Sequence, residues 1–240
     1  MIIKKINNNI IFYDEDIGLD VNKVINDEVY YKYTRSNIEF INNEKWIKKH
    51  FFRKGLMAFL GDKYIRSFFG LTKTRSYAEF RILDFLYKNN FNTCKPILGW
   101  VTHQNILFYR ADLIVERLQN TVTLAEYMKN HASKSLFVNI GKQIAIMHNL
   151  GVYHGDLNAH NVLVRINEES LDKTSNPTIE VSDIYIIDFD KSLIGMNRKI
   201  FSSLMYNNLS RLRHSLIKLG HDDYLNKYWK SLLEGYLSRL

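Results

Sequence analysis

The sequence contains very little cysteine and proline, and each shortage narrows the class of protein. Cys94 is the single cysteine among 240 residues, so no disulfide can form within the chain and a reducing compartment is expected. The two prolines, Pro96 and Pro177, come without a glycine- or serine-rich linker. Because 46% of the residues are hydrophobic, we expect one large domain or two small lobes with a substantial core.

Long apolar runs are also missing. No stretch reaches the roughly 18 apolar residues without charge that a membrane-spanning helix requires. The first residues, MIIKKINNNIIFYDEDIG, carry lysines, but asparagine and aspartate interrupt their apolar positions. The sequence therefore predicts neither a spanning helix nor a secretory signal peptide.

Acidic residues are fewer than basic residues, 25 against 33, which gives a formal net charge of +8. This excess favours an anionic partner such as a nucleotide, a nucleic acid or an acidic membrane surface. An ordinary solvated basic surface would give the same charge. The charge alone does not choose among these.

The first half of the chain is mainly β in its patterning. Runs of β-branched and aromatic residues with polar breaks predict strands, and SYAEFRILDFLYKNN predicts a helix. The predicted strands cover 29–33, 38–41, 45–52, 97–103 and 106–117, and the helix covers 76–90.

From about residue 121 helical spacing takes over. Apolar residues three or four apart give 133–149 one apolar face, and Gly151 is expected to end that helix. The other predicted elements are a helix at 123–131, strands at 162–166 and 184–188, and two helices in the last forty residues. The order predicts an α+β fold of two lobes, 1–117 and 118–240, within one domain.

A dense polar stretch, HGDLNAHN at 154–161, directly precedes the strand VLV. Phosphoryl transfer from ATP needs a carboxylate to orient the attacking hydroxyl, oxygen ligands for Mg²⁺ and a cation on the phosphates. Asp156 and Asn161 are five residues apart in a loop between a helix and a strand, so both side chains can face one cleft. The amide oxygen of Asn161 suits a hard cation beside a carboxylate.

A second carboxylate follows some thirty residues later. Asp188 closes the apolar run IYII, within IIDFD. The pattern HxDxxxxN, followed by a strand ending in DF, matches the catalytic and metal loops of protein-kinase-like folds. The alternative is purely structural, with Asp156 and Asn161 capping turns and Asp188 capping a helix. His154 is expected to brace the loop through hydrogen bonds. His160 is expected to pack or support the loop, the alternative being that it reaches the substrate.

A kinase-like site also needs a lysine paired with a helix glutamate. Glu79 shares a face of the predicted helix with Ile82, Leu83 and Leu86, and an unpaired buried charge is costly. Lys48 and Lys49 point to opposite faces of a strand, so one is expected to face the cleft and the other solvent. The alternation does not decide which. Glu79 could instead pair with Arg75 or Arg81.

Several parts of a regulated protein kinase are missing. The first sixty residues contain no GxGxxG, and the turn at Asn42, Asn43 and Glu44 has no glycine. Arg35–Asn37 is the alternative segment to cover the phosphates. DFD replaces DFG, and no APE-like motif follows it. These absences argue against a protein kinase with a phosphorylated activation loop.

Four stretches together resemble the lipopolysaccharide kinase family of Gram-negative bacteria. These are RSYAEFRILDFL, HGDLNAHNVLV, IIDFDKS and NNLSRLRHSLIK, and the similarity extends from about residue 45 to about residue 220. Within the family the sequence is most similar to the enzymes that act on 3-deoxy-D-manno-octulosonic acid (Kdo). The first forty residues match no family pattern.

The resemblance implies a role for each matching residue. It makes Asp156 the catalytic base, Asn161 and Asp188 the Mg²⁺ ligands and Glu79 the helix glutamate. The family's lysine precedes a histidine–aromatic pair, which selects Lys49 before His50 and Phe51. Lys49, Glu79, Asn161 and Asp188 would thus serve ATP and its metal.

The resemblance also implies a substrate and a place in the cell. The expected reaction is ATP-dependent phosphorylation of a Kdo hydroxyl, expected to be the 4-hydroxyl, on a Kdo–lipid A precursor at the cytoplasmic face of the inner membrane. Peripheral binding to that anionic surface is expected, with no nucleic acid partner and a monomeric protein. The candidate membrane residues are Arg53, Lys54, Lys63, Arg66, Lys73, Arg75, Arg211, Arg213 and Lys218.

Two other functions fit parts of the sequence. Aminoglycoside and choline phosphotransferases also carry HGDxxxxN and IDFD, which would imply a soluble small-molecule acceptor. A catalytically dead fold acting as a binding module is disfavoured by the intact Asp156, Asn161 and Asp188.

Overall fold

The structure is a computed structural model. It describes residues 1–14, 21, 38–51, 64–65, 70–103, 108–166, 179–195 and 198–240. Contacts within the chain group into two compact units, Met1–Arg81 with Lys95–Arg117, and Ile82–Cys94 with Leu118–Leu240. The assignment of a nucleotide-binding lobe to 1–117 and a catalytic and acceptor lobe to 118–240 stays a prediction.

The first unit is built on an antiparallel sheet. Among the described residues its strand order is β1-β2-β6-β7-β4-β3, with β5 also paired to β7. The strands are β1 (Ile2–Ile6), β2 (Asn9–Tyr13), β3 (Ile38–Ile41), β4 (Trp46–His50), β5 (Tyr64–Ile65), β6 (Pro96–His103) and β7 (Phe108–Glu116).

Helix α1 (Arg75–Lys88) begins in the first unit, where its aromatic residues pack on β2. The ring of Phe12 meets Tyr77 and Phe80 edge-on, with centroids 5.0 and 5.3 Å apart. The hydroxyl of Ser76 donates to the carbonyl of Trp100 at 3.1 Å. These contacts hold the residues around Glu79 against the sheet.

The second unit combines helices with short strands. The strands are β8 (Thr121–Thr123), β9 (Val152–Tyr153), β10 (Val162–Arg165), β11 (Ile184–Ile186) and β12 (Leu193–Ile194), with β10 between β8 and β11, and β9 paired to β12. The helices are α2 (Leu124–Tyr127), α3 (Lys134–Asn149), α4 (Arg198–Lys218) and α5 (Asp222–Leu237).

Helices α3 and α5 cross at two glycines. A Cβ atom on Gly141 would lie 2.0 Å from the carbonyl oxygen of Leu232, and one on Gly235 would lie 2.1 Å from that of Val138. No side chain fits at such distances, so the two backbones touch directly. This close crossing brings Tyr236 of α5 next to α3.

Most predicted elements within the described residues are confirmed. Strands β1, β2, β5, β8, β9 and β12 were not predicted, the helix predicted over 123–131 spans only Leu124–Tyr127, and the strand predicted over 184–188 ends at Ile186. Gly151 follows α3 with a φ of 73°, the left-handed conformation expected at a helix end. The strand predicted over 29–33 and the segment Arg35–Asn37 lie outside the described residues.

Within the described part of the chain, each helix is either too short or too polar to cross a bilayer.

Candidate active site

The polar stretch at 154–161 forms a loop that is held by its own side chains. The carbonyl of Asp156 accepts hydrogen bonds from the side-chain amides of Asn158 and Asn161, each at 2.9 Å. The side-chain oxygen of Asn158 accepts the backbone N–H of His160 at 2.9 Å. The density of polar residues is therefore explained by the loop, because its backbone groups take these side chains as partners.

His154 ties this loop to the residues after β11. Its side chain is fully buried, with Nε2–H donating to the carbonyl of Ile187 at 2.9 Å. Its Nδ1 accepts the backbone N–H of Asp156 at 3.1 Å. Because a backbone N–H can only donate, Nδ1 is unprotonated and the ring is neutral. The predicted bracing role of His154 is confirmed.

Asn161 and Asp188 are brought together by a backbone hydrogen bond. The N–H of Ile187 donates to the carbonyl of Asn161 at 3.0 Å, one residue before Asp188. Strand β11 ends at Ile186, so Asp188 does not close the strand as predicted. Its φ of 66° is left-handed, a conformation that cannot continue a strand but that aspartate adopts more readily than most residues.

Asp156 presents a half-exposed carboxylate between two cations. Its side chain is 44% exposed, with Oδ1 3.5 Å from Nη1 of Arg211 and Oδ2 3.9 Å from Nζ of Lys191. Sequence reasoning missed both neighbours. Lys191 belongs to the IIDFDKS motif that contains Asp188, and this motif could have indicated its position. Arg211 was predicted to bind the membrane surface, and no local sequence pattern places it near Asp156.

A pocket of about 650 Å³ opens beside Asp156, and we call it the Asp156 pocket. His160 is exposed and lines it, so the prediction that its side chain packs is wrong. Its backbone N–H, not its ring, supports the loop. The pocket is lined by Tyr153, Asp156, Leu157, Asn158, His160, Asn207, Ser210, Arg211, His214, Ser215, Lys218 and Leu219.

A buried polar chain supports the loop from behind. Asn208 is fully buried, accepts the backbone N–H of His154 at 3.1 Å and donates to the carbonyl of the same residue. Its side-chain oxygen also lies 3.0 Å from Nε2 of His148, whose Nδ1 lies 2.8 Å from the hydroxyl of Tyr236. The hydrogen bonds are all satisfied when Nε2 of His148 carries the proton and Tyr236 donates. Sequence patterns gave no sign of this chain.

Burial determines the protonation states of His148 and Tyr236. It lowers the pKa of His148 to about 4, against the opposing effect of its hydrogen bond to Asn208. Burial also raises the pKa of Tyr236 to about 12, so that the hydroxyl keeps its proton. The folded protein thus holds His148 neutral.

We expect His148 to make stability depend on pH. In the unfolded chain its pKa returns to about 6.5, so acidification protonates the unfolded state first, and the free energy of unfolding falls between pH 6.5 and 4. The contribution of His148 should lower the free energy of unfolding by about 2 kcal/mol from pH 7 to pH 5. Urea unfolding of the wild type and His148→Gln at both pH values measures it. The same loss of stability in both proteins would contradict the assignment.

In the first unit, Lys49 and Glu79 form an ion pair. Nζ of Lys49 lies 2.8 Å from Oε2 and 3.0 Å from Oε1 of Glu79, which is 3% exposed. Because the side chain of Lys49 pairs with Glu79, the strand alternation predicts that Lys48 faces solvent. That prediction is wrong. Lys48 is 6% exposed and lies 5.7 Å from the ring centre of Trp100 and 3.7 Å from Glu39. The sheet therefore buries Lys48 and leaves Lys49 partly exposed, each with its own carboxylate.

The donor set at Asn161 and Asp188 fits a hard cation. Asn161 donates through its amide nitrogen to the loop, and its amide oxygen takes no part in that bond. Together with the carboxylate of Asp188 it offers oxygen ligands of the kind that Mg²⁺ prefers. Among the described residues, no three histidine, cysteine, aspartate or glutamate side chains are grouped as a metal centre. A metal here would thus rely on few protein ligands, as Mg²⁺ bound together with a nucleotide does.

Relatives that are named as kinases match most of the chain. A 3-deoxy-D-manno-octulosonic acid kinase of Mannheimia succiniciproducens is 35% identical over 193 residues, covering 78% of this chain and 73% of the relative. The enzyme of the same name from Vibrio vulnificus strain CMCP6 is 34% identical over 196 residues, covering 80% and 74%.

Solved kinase structures share the fold. A solved structure of WaaP in complex with acyl carrier protein matches with a TM-score of 0.56 at 15% identity, covering 96% of this chain and 89% of that chain. The amicoumacin kinase hAmiN in complex with AMP-PNP, Ca²⁺ and Ami matches with a TM-score of 0.53 at 12% identity, covering 92% and 78%. The predicted kinase-like α+β fold is confirmed.

The sequence profile of the Lipopolysaccharide kinase (Kdo/WaaP) family matches residues 22–236, nearly the whole chain. The prediction that the first forty residues match no family pattern is therefore wrong from residue 22 onward. The match contains the loop at 154–161, which we call the catalytic-type loop, together with Asp188 and the Lys49–Glu79 pair. This protein belongs to the lipopolysaccharide kinase (Kdo/WaaP) family.

Proposed function

We propose that this protein is an ATP-dependent kinase that phosphorylates a hydroxyl of Kdo on a Kdo–lipid A precursor. The observation that carries the proposal is the position of Asp156, whose carboxylate lines a pocket while its backbone is fixed by His154, Asn158 and Asn161. Family membership and the relatives named Kdo kinase support this substrate over a soluble small molecule.

The proposed reaction is a single displacement at phosphorus. The Kdo hydroxyl oxygen forms a bond to the γ-phosphorus of ATP as the bond to the β-phosphate oxygen breaks, leaving ADP. Asp156 orients the hydroxyl and accepts its proton, which then passes to solvent. Its partial exposure gives that proton a direct route to water.

The remaining predicted residues are proposed to serve the nucleotide. Asn161 and Asp188 would hold Mg²⁺, which when bound neutralises charge on the transferring phosphates. Lys49, oriented by Glu79, would bind phosphate oxygens of ATP. His154 acts through the loop, because it binds the backbone on both sides of the site.

The direct test is transfer from ATP to purified Kdo–lipid A precursor, with the product identified by mass and by the sugar that carries the phosphate. Choline and an aminoglycoside are the comparison acceptors. Phosphate on Kdo alone supports the proposal. Transfer to the small alcohols alone would instead favour a small-molecule phosphotransferase, and no transfer to any acceptor would favour a binding module.

We also propose that the protein binds the cytoplasmic face of the inner membrane peripherally. Several of the basic residues concerned, Arg53, Lys54, Lys63 and Arg66, lie outside the described residues. Lys73 is exposed, whereas the guanidinium of Arg75 lies over the ring of Phe51, 5.1 Å from its centre. Each basic side chain near an anionic surface contributes about 1 kcal/mol.

Binding to anionic vesicles should therefore fall steeply with salt, because the Debye length drops from roughly 10 Å at 0.1 M to 3 Å at 1 M. Replacing Lys54, Lys63 and Arg66 together with glutamate should lower it further. Vesicle sedimentation at several salt concentrations measures both effects. Binding that ignores salt and substitution alike would assign these residues to an ordinary solvated surface.

A further inference from the structure

Helix α4 is fixed along the catalytic-type loop by three contacts. Asn208 holds the backbone of His154, Arg211 lies 3.5 Å from Asp156, and the hydroxyl of Ser215 accepts the backbone N–H of Ala159 at 2.8 Å. The three residues lie three and four positions apart, so they share one face of the helix. The distance between Asp156 and the next residues on that face is therefore set by the fold.

Lys218 is the next residue on this face and also lines the Asp156 pocket. Seven residues separate it from Arg211, which is about 10 Å along the helix axis. A sugar whose hydroxyl reaches Asp156 would therefore extend toward Lys218. A volume of about 650 Å³ is within the ordinary range for small-ligand sites and leaves room for a sugar acid.

The charges in the pocket favour an anion at the Lys218 end. Asp156 contributes one negative charge, and Arg211 and Lys218 contribute two positive charges, which leaves one positive charge in excess. Arg211 already faces the Asp156 carboxylate. Within the described ranges no carboxylate lies within ion-pair distance of Lys218. His214 donates from Nδ1 to the carbonyl of Ser210 at 2.8 Å, so Nε2 of the neutral ring can only accept a hydrogen bond and does not bind a carboxylate.

We infer that Lys218 binds the carboxylate of the acceptor sugar and so positions its hydroxyl at Asp156. The inference rests on the proposed function and names the group by which the acceptor is recognised. A sugar acid carries its carboxylate at a fixed distance from its hydroxyls. One ammonium at one end of the pocket and one carboxylate base at the other would select both the sugar and the hydroxyl.

The test compares acceptors with and without that carboxylate. Initial rates are measured on detergent-solubilised Kdo–lipid A precursor and on its Kdo methyl ester, for the wild type, Lys218→Met and Lys230→Met. A charge-assisted hydrogen bond at an exposed site predicts an increase of about tenfold in the acceptor KM for Lys218→Met on the acid, with kcat and the KM for ATP little changed. On the ester, the wild type and Lys218→Met should have the same, raised KM.

Lys230→Met is the matched control, since it removes the same charge from an exposed position on α5 outside the pocket, and it should behave as the wild type. An unchanged acceptor KM in Lys218→Met, or an equal increase on acid and ester, would overturn the inference while leaving the proposed function intact. The lipid A phosphates are the other negative charges on the acceptor, so a third acceptor that lacks them is measured as well. Loss of the Lys218 effect on that acceptor alone would assign the lysine to a phosphate instead. A wild type that transfers nothing to Kdo would end the proposed function itself, and this inference with it.

Discussion

Replacing Asp156 with asparagine should lower kcat by about 10²- to 10⁴-fold, the contribution of a positioned general base. Asparagine keeps the size of the side chain, and the backbone hydrogen bonds of residue 156 to His154, Asn158 and Asn161 are independent of the carboxylate. The loop should therefore keep its shape while losing the group that accepts the proton. Steady-state rates on Kdo–lipid A precursor and calorimetric titration with ATP measure the two consequences separately.

ATP affinity should barely change in this variant, because Asp156 is assigned to the hydroxyl and not to the nucleotide. Asp223→Asn, in the exposed first turn of α5, removes the same charge away from the site and should retain wild-type rates. An Asp156→Asn enzyme with near-normal kcat would remove Asp156 from the role of base.

Replacing Asp188 with asparagine should abolish most of the effect of Mg²⁺ on ATP binding and lower kcat by about 10²- to 10³-fold. The substitution suits the site because asparagine, like aspartate, tolerates the left-handed φ of 66° at this position. It therefore removes the charge without adding backbone strain. Calorimetric ATP titrations with and without Mg²⁺, on the wild type and the variant, provide the measurement.

Asp188→Ala serves as the comparison, because it removes the same ligand and also places a residue of lower tolerance in the left-handed region, at a cost of roughly 1 kcal/mol. It should match Asp188→Asn in nucleotide binding and be less stable in urea. If Mg²⁺ strengthens ATP binding equally in the wild type and in Asp188→Asn, residue 188 does not hold the metal.

The features that could be predicted from the sequence are those determined by residues that lie close together in the chain. The apolar residues of 133–149 recur at helical spacing, so α3 was predicted close to its true bounds. The loop at 154–161 is stabilised by side chains that bind backbone two to five residues away, and such local pairs leave a readable motif. The positions of Asp156 and Asn161 on one loop therefore followed from a short stretch of sequence.

What could not be predicted depends on partners far away in the chain. Strand β1 has mostly exposed positions and lysines, so its pattern does not distinguish it from a loop. Arg211 shares the basic character of the surface helices, and only folding brings it to Asp156. Asp188 adopts its left-handed backbone conformation just after β11 ends at Ile186. The apolar run before Asp188 does not indicate that end.

The buried hydrogen bonds that link His154, Asn208, His148 and Tyr236 can form only after the catalytic-type loop has been synthesised. Asn208 lies 54 residues after His154, and Tyr236 lies 88 residues after His148. On a translating ribosome, the loop therefore emerges well before the side chains that hold it from behind. Until α5 has emerged and crossed α3 at Gly141, the Nδ1 atom of His148 lacks the hydroxyl that it binds in the finished protein. A nascent chain would thus carry the whole loop at 154–161, with its internal hydrogen bonds, before the buried side chains behind it are all in place.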